Sequence, residues 1–402
     1  QADTPEFANL IDDFEVWAAV RGRDNVPYDR MVHELLTITR LPSRAPGQQP
    51  GERVSPVGFL AASQFKPENL AANTTRSFLG LNLDCAQCHN HPFSRWTRGQ
   101  FWQTAAFFAP PTKTSGVMLD KLQLTIPDTE RSVAATLLDD KPVLWPEKLE
   151  AETGRRLLAD WIASKENPYF AKNAVNRVWA HLYGTGLVEP LDDLSEENPP
   201  SHPALLDDLS AAFVASGFDV KYLTQAIVLS RAYQLSTALP DGATDDDPRL
   251  FARMPVRGLT GEQLYDSSRV AAGLPVERDD LLTSRDSGQR QRFVTQMLIA
   301  RPVEAERSIV QALALMNGSL TMELTTAGKS PTLLAAAESP FLNNQGKVET
   351  LFFAALNRNP TAQESSRLVN YIEQGGEART SSQSLGDIFW ALLNSSEFNT
   401  NH

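Results

Sequence analysis

Two cysteines and a histidine stand together at Cys85-Ala86-Gln87-Cys88-His89, with a second histidine at His91, and no other cysteine occurs in the 402 residues. Cys-x-x-Cys-His is the spacing by which a c-type haem is tethered: both thiols bond the vinyl groups of the ring and the histidine ligates the iron. A separation of three places the thiols on one face of a helical turn, and the next residue swings its imidazole under the ring. Zinc is the competing chemistry, because Cys85, Cys88, His89 and His91 offer four ligands within seven residues. Their crowding counts against it, since structural zinc sites join two separated ligand pairs and no second pair exists here. A redox or structural disulfide is the third reading, and it would want a βαβ setting that the segment lacks.

Other residues extend the haem reading. His91 cannot reach the far face of the same iron, so it reads as a hydrogen-bond donor behind the iron ligand, as a separate metal ligand, or as a histidine packed at the start of the Pro92-Phe93 turn. Met118, Met31 and His33 are candidates for the distal ligand, and a five-coordinate iron is the alternative. Phe93 and Trp96 are candidates to wall the pocket; Phe101, Trp102, Phe107 and Phe108 follow, in a pattern that core packing under a short helix would also produce. In the second half, Arg177 and His181 share a helix face, with Asn176 and Trp179 beside them and Asp192, Asp193, Glu196, Glu197 and His202 nearby. A cap-and-ion-pair cluster around Asn198-Pro199-Pro200 is favoured there over an acid/base site. No nucleophile, base and orienter stand together, so an electron carrier or scaffold is expected rather than a hydrolytic catalyst.

These residues need elements to position them, and helical periodicity dominates. Tyr28 to Leu36 reads as a helix opened by Pro27 and ended before Pro42. A loop follows over 42–56. A second helix over 67–81 turns Leu70, Phe78 and Leu79 to the core and delivers the chain to the cysteines. Between residues 110 and 146 the texture changes, and Leu122-Gln123-Leu124-Thr125-Ile126 and Val143-Leu144-Trp145 read as short strands, the β structure being confined to this stretch. Helical patterns resume at Glu152 and run to the end, with turns at Gly184-Thr185-Gly186 and Asn198-Pro199-Pro200-Ser201 and a polar excursion over 277–291. Trp179 and Trp390 lie on apolar stripes and are expected to be buried.

Composition bounds the rest. A hydrophobic fraction of 42% with 21% charged residues is that of a globular chain, and the length allows two or three domains. A net charge of −12 argues against nucleic-acid binding, which wants a basic stripe. No run of eighteen apolar residues predicts a membrane span. The start at Gln1-Ala2-Asp3 suits a mature product freed of a signal peptide, and equally a trimmed chain.

Several motifs also carry a family resemblance. Pro27-Tyr28-Asp29-Arg30, Phe78-Leu79-Gly80-Leu81, the run from Cys85 to Trp96 and Ala105-Ala106-Phe107-Phe108 resemble the planctomycete cytochrome-like domain, domain of unknown function 1549. Asn167-Pro168-Tyr169-Phe170, the run from Asn176 to Gly184, Asn198 to Pro203, Ser230 to Ser236 and Trp390 to Phe398 resemble its C-terminal partner, domain of unknown function 1553. Relative to that pattern, an opening segment rich in Trp, Leu and Arg is represented by its second half. The resemblance implies a mainly α, exported protein suspected of redox work. It divides the chain into a cytochrome-like domain over 1–109, a strand-bearing connector over 110–150 and a larger all-helical domain over 151–402.

The combined expectation is a mono-haem c-type cytochrome in the periplasm or at the cell surface. It would work with redox partner proteins or within a larger membrane-associated complex. Cys85 and Cys88 would hold one haem and His89 would be its axial ligand. Two further readings stand beside it: a structural or interaction protein whose Cys-His cluster binds zinc or forms a disulfide, and an exported polymer-acting enzyme, the last by analogy alone.

Overall fold

The computed structural model describes residues 5–38, 54–111, 113–114, 117–118, 120–127, 129–238, 247–275, 288–297, 308–375 and 380–401. Of the segments read above, the opening Gln1-Ala2-Asp3, most of the loop at 42–56 and most of the excursion at 277–291 lie outside these residues. The protein is mainly α, 57% helical with 4% strand, as the periodicity predicts. It divides into two compact units, residues 1–234 with 246–250 and residues 235–245 with 251–402.

The first unit begins with α1 (Pro5–Arg23), α2 (Tyr28–Thr37), α3 (Val57–Ala62) and α4 (Pro67–Thr74). Pro27 precedes α2, and Val32, Leu35 and Leu36 form its buried stripe at the expected helical spacing. Proline opens α4 at its first position, where a missing N–H costs nothing. The helix then widens into a π turn over Thr75–Leu79, at whose start the Thr75 hydroxyl bonds back to the carbonyls of Ala71 (3.0 Å) and Ala72 (3.2 Å). Gly80 ends it at φ +64°, a left-handed conformation open to glycine at little cost. The expected helix over 67–81 is therefore real, with its last turn widened.

Next come α5 (Arg98–Ala105) and two hairpins, β1 (Lys113–Thr114) with β2 (Val117–Met118) and β3 (Gln123–Thr125) with β4 (Ser132–Ala134). Val143-Leu144-Trp145 does not form the expected strand. Among the described residues no strand pairs with that stretch, and Trp145 instead stacks on Phe107 with ring centroids 6.1 Å apart. Four helices complete the unit: α6 (Thr153–Ile162), α7 (Phe170–Tyr183), α8 (Pro203–Ala215) and α9 (Val220–Val228). Within it α1 packs on α3, α2 on α6, α4 on α5, and α7 on both α8 and α9.

The second unit holds β5 (Arg257–Gly258), α10 (Gly261–Ala271), α11 (Gly288–Gln296), α12 (Ile309–Asn317), α13 (Ser319–Leu324), α14 (Pro331–Glu338), α15 (Asn344–Leu356), α16 (Ala362–Glu373), α17 (Ser381–Leu393), α18 (Ser396–Asn399) and β6 (Thr400–Asn401). Capping boxes start α10 (Thr260 with Gln263), α12 (Ser308 with Gln311) and α16 (Thr361 with Glu364). The core centres on Leu264, Met297, Val348, Leu351 and Phe389, each 0% exposed. Two expectations need correction here. Strand structure is not confined to 110–146, because β5 and β6 pair antiparallel and tie the end of the chain to the start of α10. Two residues on each side are too few for a period to show. Trp390 is half-buried rather than buried: Leu385, Ile388, Phe389 and Leu392 face the core, while the Trp390 indole turns aside and donates to the Met316 carbonyl at 2.9 Å. Trp179, by contrast, is buried at 3% exposure, as expected.

Candidate functional site

The chain reaches the motif under tight control. Gly80 accepts a hydrogen bond from the Leu194 N–H (2.9 Å), Leu81 bridges Asp193, and the Arg76 guanidinium pairs with both Asp84 and Asp192. A Cβ at Gly80 would come within 2.7 Å of Leu194 Cδ1 and 2.8 Å of Asn173 Oδ1, so only glycine allows this approach. The loop that the sequence read as a cap-and-ion-pair cluster thus braces the motif. Within that loop Asn198 donates to the carbonyls of Glu189 and Asp193, and Glu196 pairs with Arg95. Arg177, on α7, donates to Asn173 and to the Arg76 carbonyl.

Asp84–Gln87 then forms one turn of 3-10 helix. With three residues per turn, positions i and i+3 eclipse, so Cys85 and Cys88 fall on the same side. Both are free thiols exposed to solvent, whereas Ala86 between them is fully buried. The Gln87 carbonyl accepts from Trp102 Nε1 (3.0 Å) and Arg98 Nε (3.3 Å), which pins the turn to α5.

His89 is exposed, with Nδ1 2.7 Å from the Asn90 carbonyl oxygen. A carbonyl only accepts, so Nδ1 carries the proton and the lone pair of a neutral ring lies on Nε2. His91 shows the reverse tautomer, since its Nδ1 accepts from the Phe93 N–H at 3.2 Å. It sits in a turn closed by its own N–H donating to the Trp96 carbonyl (2.8 Å). Phe93 projects into solvent at 84% exposure. Trp96 is buried, edge-on to Tyr169 (6.4 Å) and beneath the Arg95 guanidinium (4.9 Å). The two rings read as pocket walls are therefore apart in environment.

The three candidate distal ligands belong to other elements. Met31 and His33 are on α2, and His33 Nε2 meets Asp160 Oδ1 of α6 at 3.0 Å. Met118 is a backbone member of β2; its side chain is outside what the structure describes. Among the described residues no three His, Cys, Asp or Glu side chains gather in an arrangement that could hold a metal ion.

A cleft of about 360 Å³ opens beside the motif, lined by Asn90, Thr97, Arg98, Gly99, Thr129 and Arg131 among others. Sequence reasoning missed it because the hairpin β3–β4 joins it to α5 only in three dimensions. The one local sign was Thr97-x-x-Gln100, a capping box that fixes the start of α5.

Fold and site together define a mainly helical protein that presents a Cys-x-x-Cys-His turn at the surface of its first compact unit. Residues 5–113 match the family model described as PSCyt2, protein of unknown function (DUF1549), and residues 154–292 match PSD1, protein of unknown function (DUF1553). The chain belongs to the proteins that carry these two domains in this order. No curated protein and no solved structure matches it. Among the described residues no helix is long and apolar enough to cross a membrane.

Proposed function

We propose that this chain is an exported mono-haem c-type cytochrome that carries single electrons between redox partner proteins, alone or as a subunit of a larger complex. Cys85 and Cys88 would hold the ring by thioether bonds, His89 Nε2 would ligate the iron, and the bound haem would supply one-electron redox chemistry. The observation that carries the reading is the His89 tautomer. A ring whose Nδ1 proton is committed to a backbone carbonyl offers Nε2 as a ligand in a set direction, the usual arrangement of metal-bound histidine. The thiols fit the same group: both are free, both face solvent, and they stand one turn apart on a backbone held by Trp102 and Arg98. A closed zinc site fits less well, since His91 uses Nδ1 as an acceptor from Phe93 and no cluster of three donors forms among the described residues. Covalent attachment takes place on the extracytoplasmic side, so the haem-bearing chain would work there.

The chain should be produced in a host competent in cytochrome c maturation. A boiled, reduced sample should still stain for haem and should gain the mass of about one haem. Cys88→Ser should weaken or abolish the attachment, and His89→Ala should leave it possible while shifting the visible spectrum. A colourless product that loses metal and structure with a chelator would replace this reading with zinc. A colourless product with a Cys85–Cys88 disulfide would replace it with the structural one.

A further inference from the structure

The cleft beside the motif has a sign of charge opposite to that of the chain. With 49 acidic against 37 basic residues, carboxylates are plentiful: Arg21 and Arg95 of the same unit each pair with one, and Arg76 with two. Arg98 and Arg131 do not. Among the described residues no carboxylate pairs with either guanidinium, yet both line this one cleft, Arg98 from the first turn of α5 and Arg131 from the turn before β4.

Asn90, Thr97, Gly99 and Thr129 supply the other polar groups of the cleft. Asn90 Oδ1 accepts from the Arg98 N–H (3.0 Å), which leaves its Nδ2 amide to donate. The Thr97 hydroxyl is used within the capping box, accepting from the Gln100 N–H and donating to Gln100 Oε1. Thr129 donates its hydroxyl proton to the Ile126 carbonyl and accepts from the Arg131 N–H. The Gly99 N–H, in the first helical turn, has no intrahelical acceptor. Two guanidiniums, one amide and one backbone N–H thus belong to residues that line the cleft, and the hydroxyls beside them are already engaged. That set rejects a cation and leaves a neutral ligand's donors unmatched. It matches a group with several acceptor oxygens and negative charge.

We infer that this cleft binds an oxyanion, a carboxylate or a phosphate. The inference stands apart from the haem reading, although one source of such an anion would be the carboxylate side chains of a tetrapyrrole held at Cys85 and Cys88. The other source is a free small anion.

The test titrates the full chain, made without haem in a host that lacks cytochrome maturation, with inorganic phosphate at constant ionic strength. Calorimetry reads the affinity. Saturable binding is expected, weakened about ten-fold in Arg131→Gln, as expected for the loss of one charge-assisted contact. Arg98→Gln should behave alike, but it also loses a bond to the motif. Arg131→Gln is therefore the deciding variant, because its guanidinium has no carboxylate partner to lose among the described residues. If haem-carrying protein no longer takes phosphate while haem-free protein does, the anion is the cofactor's own carboxylate. If both take it, the anion is free. Either result supports the site. Absence of saturable binding by the haem-free chain, or equal affinity in Arg131→Gln, overturns it.

Discussion

Trp102 Nε1 lies 3.0 Å from the carbonyl oxygen of Gln87, a hydrogen bond between a core indole of α5 and the residue between the second thiol and its buried neighbour Ala86. The indole is buried and donates only here, so the orientation of the Cys85–Cys88 turn is coupled to the packing of α5 on α4.

Replacing Trp102 by Phe should keep most of the packing and remove the donor. The expected loss is about 0.5–1.5 kcal/mol in denaturant unfolding. Alkylation of Cys88 in the thiol form should also quicken as the turn loosens. Unchanged stability together with unchanged thiol kinetics would show that Arg98 alone holds the Gln87 carbonyl.

Gly80→Ala should be costly for two reasons. A left-handed φ of +64° costs a non-glycine residue about 1–2 kcal/mol, and the new Cβ would press on Leu194 and Asn173. Thermal unfolding should fall accordingly, while Gly99→Ala, whose Cβ would make only an ordinary contact 3.7 Å from Thr97 Oγ1, should cost less. Equal midpoints for the two would mean that the brace between Gly80 and Leu194 yields.

The aromatic residues of α7 and α17 should separate by burial. Trp179→Ala and Phe389→Ala each remove a buried ring and should cost about 3–5 kcal/mol. Trp390→Ala should cost clearly less, because its ring is half-exposed and its chief anchor is one bond to Met316. Unfolding in urea with three single variants checks the order.

An acid limb of stability should trace to α16. Arg358 donates twice to Glu364 (3.0 Å each) and twice to Glu397, and the two bonds to Glu364, with the Thr361 N–H, hold the Glu364 carboxyl down to about 2. A lowered folded value means that the stabilisation is present above the ordinary range near 4.5 and is lost as the pH falls from there toward about 2. The groups are partly solvated, so salt should shrink the effect. In Arg358→Gln the urea midpoint should vary less across that window; an identical pH profile would assign the acid limb to other carboxylates.

The haem-type spacing, the mainly α class, the helix at Tyr28 to Leu36 and the helix leading from Pro67 to the motif were legible in the linear order of residues. Each depends on contacts within one turn: proline at a helix start and apolar residues three and four apart. The 3-10 turn that sets Cys85 above Cys88 is the helical turn that the spacing predicts, in its tighter form.

What tertiary structure decided are the relations between segments distant in sequence. Arg76 and Gly80 are braced by residues 192–194, Trp96 is buried against Tyr169 while Phe93 is left in solvent, and His33 meets Asp160. Trp390 shared its helix with a clear apolar stripe, yet one residue of rotation, 100° on an α-helix, gave the core to Phe389. The basic cleft needed the same information. Arg98 and Arg131 carry no mark that joins them, and only the packing of a hairpin beside α5 brings their charges to one opening.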